Sequence, residues 1–333
     1  MAVHLDLIAA EAGVSVPTVS KVLNSRPDVA AGTRERVTAV LERHGFAIRT
    51  RANTATGFLH VRVVDLDGAW SEAVVRGAVE AARAQGKDVV LTVDPAPDDC
   101  DGWVRHALAR GTDGLLSVVA VPSEEARRAL AEAGVPLVVV DPLHQVPDGT
   151  LSVAATNFKG AFDAAQHLIS LGHRRIATIT GPIDQDNAIA RLAGFQAAML
   201  QAGVPVDDDL IIRAHYGVDQ GYDATRVLLA RTDRPTAIFG ASDDTAFGAI
   251  HALREQGLRV PEDISVIGFD DLAPAGWADP PLTTIRQPLA QMGSAAVDAL
   301  VQSRLGRAPA AHTELSTTLI VRSSTAPPRE PQD

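Results

Sequence analysis

From residue 58 onward, short runs of valine, isoleucine and leucine alternate with longer stretches in which apolar residues recur every three or four positions. The short runs are typical of parallel strands buried on both faces, and the periodic stretches are typical of the amphipathic helices that cover them. The predicted strands are 58–64, 89–93, 114–120, 136–140, 151–155, 175–180, 237–240 and 264–269. The predicted helices are 71–85, 124–133, 158–171, 187–202, 222–230, 244–256 and 289–305, with a further amphipathic helix over 102–110.

The predicted strand–helix units are too many for a single sheet. The pattern therefore predicts an α/β fold of two doubly wound lobes with a cleft between them. In such folds, ligands bind at the carboxyl ends of the parallel strands. The polar and aromatic residues that directly follow the predicted strands are therefore the first candidates for a binding site.

Residues 8–24 have a different pattern, typical of two short helices joined by a tight turn. Gly13 suits a left-handed turn residue, Ser15 suits the N-cap of the second helix, and Pro17 is tolerated in a first turn. A third helix is predicted over residues 31–44. The sequence thus predicts an all-α helix-turn-helix head in front of the α/β body.

The second helix of this hairpin is the candidate DNA reader. In a major groove it would present Val16, Pro17, Thr18 and Lys21 to the bases. The alternative is a helical hairpin that has only a structural role. An isolated pattern of this kind more often marks such a hairpin than a DNA-binding motif.

Charge is divided unevenly along the chain, whose formal net charge is -11. Residues 1–56 contain seven lysines and arginines against five acids, a net charge of +2, and the remaining residues carry -13. Because DNA binding needs only a local basic face, an acidic body confines contact to the head.

Several classes of protein are disfavoured by what the sequence lacks. Cys100 is the only cysteine, which excludes an intrachain disulfide and a thiolate metal cluster. No secretory signal pattern or apolar membrane span is present, so we expect a cytoplasmic protein. The ten histidines are scattered, and there is no nucleophile elbow or phosphate loop. We therefore expect neither enzymatic activity nor a cofactor or metal.

Aromatic residues make up 4% of the chain, and two tryptophans follow predicted strands. Trp70 follows the first strand of the body, and Trp277 lies in the loop after the strand 264–269. Flat apolar rings beside polar groups suit a sugar, and Phe158 is a candidate third platform. The alternative for both tryptophans is a place in the core or an interface, which is the role expected for Trp103.

Two aspartates at strand ends are candidate partners of ligand hydroxyls. Asp270 follows strand 264–269 and is expected to accept hydroxyl hydrogen bonds, with Asp271 as the alternative helix cap. Asp243 follows strand 237–240 and fits a ligand contact or the N-cap of helix 244–256 about equally well.

Five segments together resemble the lactose-repressor (LacI/GalR) family of bacterial transcriptional regulators. They are residues 8–24 with 34–37 (RERV), 171–176 (LGHRRI), 190–195 (ARLAGF), 261–271 (PEDISVIGFDD) and 280–287 (PPLTTIRQ). The resemblance covers nearly the whole chain. It implies a periplasmic-binding-protein-like body, a homodimer on a palindromic double-stranded DNA operator, and a small-molecule effector.

The resemblance also implies a division of the chain. The expected units are the head over 1–48, a hinge over 49–57, a dimerising lobe over 58–156 with 288–315, an effector-binding lobe over 157–287 with 316–326, and a disordered tail over 327–333. Helix 71–85 and residues 104–108 are the candidate dimer surfaces. The tail has no heptad pattern, which favours a dimer over a coiled-coil tetramer.

For the DNA contacts, Lys21 is the candidate guanine reader. The expected phosphate contacts are Thr18, Ser20, Asn24 and Thr33, joined by Arg49 and Arg51 in the hinge. The family usually wedges a leucine into the minor groove at a position that falls here on Ala55. Alanine is too small to unstack a base step well, so kinking of the DNA is not expected to be strong.

For the effector, the resemblance implies a contact by Arg191, whose alternative is a surface salt bridge. Asn187 lies one helical turn earlier and is expected to join it. Asn157, after strand 151–155, is a candidate hydroxyl partner at the crossing between the lobes.

The sequence therefore predicts a repressor of carbohydrate-utilisation genes that is controlled by a sugar bound between its lobes. Residues 65–70 and 156–158 further resemble a branch that responds to plant-polysaccharide fragments, which suggests a cello- or xylo-oligosaccharide. The alternatives are a regulator that senses a nucleobase or phosphosugar and, from another class, a sugar-binding transport protein.

Overall fold

The computed structural model describes residues 5–23, 29–44, 55–66, 68–94 and 100–329. Its first part is a three-helix head made of α1 (Leu5–Ala12), α2 (Val16–Leu23) and α3 (Ala31–Arg43). Gly13 has φ +65° and lets the chain turn between α1 and α2, as predicted. The apolar positions of the three helices meet in one small core, formed by Ile8, Ala9, Ala12, Val19, Val22, Val37, Val40 and Leu41.

The body contains two six-stranded sheets, which confirms the predicted α/β class. The first has the strand order β11-β5-β4-β3-β1-β2, and its paired strands are all parallel. Its strands are β1 (Phe58–Val63), β2 (Asp88–Val93), β3 (Gly114–Val118), β4 (Leu137–Val140), β5 (Leu151–Ala155) and β11 (His312–Leu315). We refer to this sheet and its helices as lobe 1.

Helices cover both faces of the first sheet. On one face, α4 (Ala69–Ala84) and α12 (Leu289–Arg304) form a core with the strands. On the other, α5 (Asp101–Arg110) and α6 (Glu124–Glu132) form a smaller core in which Trp103 is buried, as predicted. Since both faces are covered, the strands are apolar on both sides, which explains their continuous valine and leucine runs.

The second sheet has the order β12-β10-β9-β8-β6-β7 and defines lobe 2. Its strands are β6 (Ile176–Thr180), β7 (Ile211–Arg213), β8 (Ala237–Gly240), β9 (Ser265–Asp270), β10 (Thr283–Arg286) and β12 (Thr318–Ile320). The edge strand β12 runs antiparallel to β10, and the other pairs are parallel.

Lobe 2 is likewise covered on both faces. Helices α7 (Asn157–Ser170) and α8 (Asp186–Gln201) pack on one face, and α9 (Val218–Leu229) and α10 (Asp243–Glu255) pack on the other. A 3-10 turn over Asp208–Leu210 precedes β7, and the five-residue helix α11 (Ala273–Trp277) follows β9. The chain passes between the sheets after β5, after β10 and after β11.

Some elements were not predicted from the sequence. The strands β7, β10, β11 and β12 and the helix α11 were absent from the expected set, and the segment 271–279 was expected to be a loop. All five are three to five residues long, and the edge strands among them are only partly buried. Within the described ranges, no helix combines the length and apolar character needed to span a bilayer.

Candidate functional site

A cavity of about 270 Å³ opens between the two lobes at the carboxyl ends of their strands. We call it the cleft pocket. Lobe 1 contributes Asp65, Trp70, Val119 and Asp141, and lobe 2 contributes Asn187, Arg191, Tyr216, Asp244 and Asp270, among others. Of the predicted ligand residues, the structure thus brings Trp70, Asn187, Arg191 and Asp270 together on one cavity.

Arg191, on α8, is buried in the wall of the cleft pocket. Its Nε donates a hydrogen bond of 2.8 Å to Asn157 Oδ1, and its Nη1 donates to the carbonyl oxygen of Ala241. The guanidinium carbon lies 3.8 Å from the ring centroid of Phe269. These contacts fix the planar group in one orientation, so it presents a rigid set of donors to the cavity.

Asp270, the last residue of β9, faces this guanidinium. Its Oδ1 lies 3.6 Å from Arg191 Nη1 and accepts a 2.6 Å hydrogen bond from Gln287 Nε2. Burial raises the pKa of Asp270 to about 7, although Arg191 and Gln287 both lower it. Desolvation of the carboxylate therefore outweighs its favourable partners.

Asp141, directly after β4, is a pocket residue that the sequence reasoning missed. Its Oδ2 accepts a hydrogen bond of 3.4 Å from Asn187 Nδ2, so this contact joins lobe 1 to lobe 2. Burial raises the pKa of Asp141, with Arg191 acting in the opposite direction. The signal was present in the sequence, because Asp141 follows the predicted strand 136–140 just as Asp270 follows the predicted strand 264–269.

Strained backbone is concentrated at the same edge of the sheets. In the described ranges, positive φ angles outside glycine occur at Val119 (63°), Asp141 (49°), Asp270 (119°) and Asp271 (57°). The first three line the cleft pocket. Each such residue costs on the order of 1–3 kcal/mol, and such strain clusters at ligand sites.

Asp243 was expected to be a ligand contact or a helix cap, and it does not line the cleft pocket. Asp243 is fully buried, and its oxygens accept from the Leu272 amide (2.7 Å) and the Thr284 hydroxyl (2.5 Å). It is not the helix cap either, because Ser242 Oγ accepts from the Thr245 amide at the start of α10. Asp244 lines the cleft pocket instead. Burial raises the pKa of both carboxyls.

Tyr216 is the second pocket residue that the sequence reasoning missed. It follows the short strand β7, and its hydroxyl donates to Asn187 Oδ1 at 3.3 Å. Burial raises its pKa to about 12, so the phenol stays protonated as a donor. A side chain at Gly181 would overlap the Tyr216 ring, which explains the glycine at that position.

A second, larger cavity of about 630 Å³ lies on the other side of the Asn187–Asp141 contact. We call it the outer groove. It is lined by the loop after β4 (residues 142–150), by the start of α7 with Asn157 and Phe158, and by β11 with His312. Asp141 and Asn187 line both cavities.

Two of the predicted aromatic platforms therefore lie outside the cleft pocket. Phe158 is half exposed on the outer groove. Trp277 is 74% exposed at the end of α11 and lines neither cavity. The helix α11 buries only Ala275, and this turns Trp277 toward solvent.

Acidic groups outnumber basic ones in the cleft pocket. Its described lining contains Asp65, Asp141, Asp244 and Asp270, and Arg191 is the only basic side chain among those residues. A negatively charged ligand would add to this excess, so the electrostatics disfavour an anionic ligand.

The motif LGHRRI has a structural role. Gly172 has φ +103° after α7, and His173 is buried beside β8 and β9. Its Nδ1 lies 2.9 Å from Thr236 Oγ1, and its Nε2 lies 2.9 Å from the carbonyl oxygen of Ala326. Burial lowers the pKa of His173. The imidazole thus ties the carboxyl-terminal segment to the second sheet.

In the head, α2 presents a continuous outer face. Pro17 and Lys21 are exposed one turn apart, with Val16, Thr18 and Ser20 partly exposed beside them. Ser15 immediately precedes α2, and its carbonyl accepts from the Thr18 and Val19 amides. Thr33 is half-buried in the first turn of α3, and Ala55 is exposed before β1. The predicted contacts Asn24, Arg49 and Arg51 lie outside the described residues.

Two family models match the chain. Residues 5–47 match the model of bacterial regulatory proteins of the lacI family. Residues 165–325 match the model of a periplasmic binding protein-like domain.

Similar proteins cover nearly the whole chain. Catabolite control protein A of Priestia megaterium is 31% identical over 89% of this chain and 90% of its own length. The HTH-type transcriptional regulator CelR of Thermobifida fusca is 34% identical over 96% of this chain and 97% of its own length.

Solved structures are similar over the same extent. The complex of the transcriptional regulator CelR with cellobiose has a TM-score of 0.74 and 33% identity, and the match covers 97% of this chain and 99% of that one. The lac repressor dimer bound to operator and the anti-inducer ONPF has a TM-score of 0.72 and 30% identity, with the same coverage.

Proposed function

Because the chain belongs to the LacI family of bacterial regulatory proteins, we propose that it is a homodimeric transcriptional repressor whose operator binding is controlled by an uncharged sugar. The head (residues 1–48) binds DNA, and the cleft pocket between the lobes binds the sugar. No chemical step is required, and a protein that acts on an operator works in the cytoplasm, where the DNA is.

The observation that carries this proposal is the pairing of Arg191 with Asp270 in a buried pocket between two lobes. The guanidinium donates hydrogen bonds and the carboxylate accepts them, and together they suit the hydroxyl groups of a sugar. The half-buried ring of Trp70 lines the same pocket and offers an apolar face to a pyranose. We propose Trp70, Asn187, Arg191 and Asp270 as the ligand contacts.

The charge of the cleft pocket favours an uncharged ligand over a phosphosugar. Four aspartates against one arginine leave no cluster of basic side chains for a phosphate, and such clusters are a common feature of phosphate sites. The bound cellobiose of the similar CelR structure supports a neutral sugar.

Ligand binding and DNA binding are coupled through the arrangement of the lobes. The lobes meet at Asn187–Asp141 and at the Asp186 amide, which donates to the Leu143 carbonyl at 2.8 Å. A ligand held by residues of both lobes favours one arrangement over others, and this shifts the population of dimers whose heads fit the operator.

On the DNA side, α2 supplies the recognition surface. We propose that Lys21 reads a base, that Val16 and Pro17 contact base edges, and that Thr18, Ser20 and Thr33 contact phosphates, together with Asn24, Arg49 and Arg51. Ala55 takes the position of the minor-groove wedge. Two heads related by a twofold axis then read a palindromic site.

The test uses the full chain and the DNA upstream of its own gene. Binding to a palindromic site in that DNA is measured by fluorescence anisotropy, alone and with neutral saccharides, phosphosugars or purine bases. We expect binding to a palindrome and a change in affinity with a neutral saccharide only. No binding to the region would overturn the repressor assignment, and a response only to a phosphosugar or purine would overturn the sugar assignment.

A further inference from the structure

The outer groove lies next to the cleft pocket, and the proposed function leaves it without a role. The two cavities share Asp141 and Asn187 as lining residues. The side-chain contact between these two residues, together with the 2.8 Å hydrogen bond from the Asp186 amide to the Leu143 carbonyl, therefore forms the partition between the cavities. A ligand that separates them would occupy one continuous site.

The partition is weak. Asn187 Nδ2 and Asp141 Oδ2 are 3.4 Å apart, and Tyr216 Oη lies 3.3 Å from Asn187 Oδ1, both at the long end of hydrogen-bond distances. Hydroxyl groups both donate and accept hydrogen bonds, so a sugar can replace each of these contacts. A sugar hydroxyl at this point would then keep the separated side chains of Asp141 and Asn187 paired.

The outer groove itself has a surface suited to a sugar ring. Phe158 is 48% exposed there, and its ring is held by stacking on Phe162 with centroids 6.5 Å apart. Polar side chains surround this apolar face: His144 and Gln145 on the loop after β4, and His312, whose Nδ1 lies 2.8 Å from Ser152 Oγ. An apolar face with polar edges is the arrangement that sugars require.

Charge in the outer groove has the same sign as in the cleft pocket. Asp148, Asp186 and Glu314 line it in addition to Asp141. Lys159 is the one lysine in its described lining, and its Nζ lies 2.5 Å from Asp163 Oδ1. An anionic unit is disfavoured here also, so both cavities select against a phosphorylated or acidic sugar.

The volumes of the two cavities also favour a ligand of more than one sugar ring. Pockets that hold small molecules have volumes of roughly 300–1,000 Å³. The cleft pocket, at about 270 Å³, is at the lower limit and suits one sugar ring. The outer groove, at about 630 Å³, adds room for at least one more.

Resting on the proposed function, we propose that the outer groove is a second sugar subsite and that the effector is a neutral oligosaccharide of at least two rings. One ring lies in the cleft pocket beside Arg191, and the next lies on Phe158. The linkage between them passes between Asp141 and Asn187.

The test measures how affinity depends on the number of rings. Isothermal titration calorimetry of the full chain uses glucose and xylose, their cello- and xylo-di- and trisaccharides, and maltose with maltotriose. In at least one series we expect a disaccharide to bind about tenfold or more tighter than its monosaccharide. Phe158→Ala is expected to remove most of that gain while leaving monosaccharide affinity within about twofold of wild type.

Two further variants keep the result interpretable. Gln145→Ala, on an exposed position of the loop after β4, is expected to weaken only the disaccharide. Trp277→Ala removes an exposed aromatic ring that lines neither cavity and is expected to change nothing.

The outcomes separate this inference from the proposed function. If mono- and disaccharides bind equally and Phe158→Ala and Gln145→Ala change neither, the outer groove is not a subsite and the sugar-sensing function stands. If no saccharide of the panel binds, the sugar effector and the second subsite are both overturned.

Discussion

Arg191 and Asp270 face each other inside the cleft pocket with 3.6 Å between Nη1 and Oδ1. This distance is too long for a hydrogen bond, although the charges attract. The guanidinium donates instead to Asn157 and Ala241, and the carboxylate accepts from Gln287. The two groups are thus held in place by other partners, and a ligand hydroxyl can bond to both without rearranging them.

The shape of the Arg191 side chain is predicted to matter as much as its charge. Arg191→Lys keeps the positive charge but loses the planar donor set, so we expect saccharide affinity to fall about tenfold. Arg191→Ala is expected to lose about a hundredfold or more. Calorimetric titration of both variants checks this, after circular dichroism has shown that they are folded. Wild-type affinity in the lysine variant would show that the guanidinium geometry is not used.

Asp270 is predicted to make the free energy of unfolding depend on pH. Burial raises its pKa from 3.8 to about 7, so the folded protein binds more protons at this site than the unfolded chain does. Its contribution to stability therefore falls as the pH rises from about 4 to about 7. The lowered pKa values of buried His167 and His173 act in the opposite direction.

A comparison with Asp270→Asn isolates this effect from the histidines. We expect the melting temperature of wild type, relative to the variant, to be higher at pH 5 than at pH 8. Thermal unfolding at both pH values is the measurement. A difference that does not change with pH would show that Asp270 titrates normally.

The crossing of α4 and α12 in lobe 1 is predicted to require glycine. A methyl group at Gly293 would fall on the carbonyl oxygen of Val74 and lie 2.8 Å from the Ala78 amide nitrogen. Because both atoms belong to the backbone of α4, the helices would have to separate. We expect Gly293→Ala to lower the free energy of unfolding by roughly 3 kcal/mol, measured by urea denaturation.

The matched control is Gly276→Ala in α11, where an added methyl group would meet nothing within 4 Å. It is expected to be neutral, or stabilising by about 0.5–1 kcal/mol through helix propensity. Equal effects of the two substitutions would contradict close packing of α4 on α12.

Lys21 is predicted to contribute to operator specificity. If it reads a base, Lys21→Ala should lower affinity for the operator about tenfold and affinity for random DNA much less. Arg36→Ala removes an equal charge from an exposed position of α3 and is the control. Anisotropy titrations of both variants with operator and with random DNA distinguish a base contact from a phosphate contact. An equal loss on operator and random DNA would make Lys21 a phosphate contact.

The fold was largely predictable because its signals are local. Continuous apolar runs such as Leu137–Val140 predicted buried parallel strands, and this run forms β4, which lies inside its sheet between β5 and β3. The strand β10 was missed because three of the four residues in its sequence, Thr-Thr-Ile-Arg, are polar. The hydroxyl of buried Thr284 is satisfied there by Asp243, distant in the chain, which accepts its hydrogen bond. A tertiary contact of this kind leaves no local pattern.

The cleft pocket was predicted by two routes: Trp70 and Asp270 from their places at strand ends, and Arg191 with Asn187 from the family resemblance. Tyr216 was missed because its strand β7 has three residues and was itself missed. The position of Trp277 depends on a five-residue helix with one buried side chain. The direction in which a side chain on such a short helix points is set by tertiary packing, and the local sequence does not reveal it.

The central claim is that a sugar in the cleft pocket controls DNA binding by the head. The most direct measurement is the dissociation constant of the full chain for its operator, with and without saturating disaccharide, in wild type and in Arg191→Ala. We predict that the disaccharide changes the wild-type constant by about tenfold or more and leaves that of Arg191→Ala, which binds the operator equally well, unchanged. An equal response of both proteins, or a disaccharide that binds the wild type and does not alter its affinity for DNA, would contradict the account.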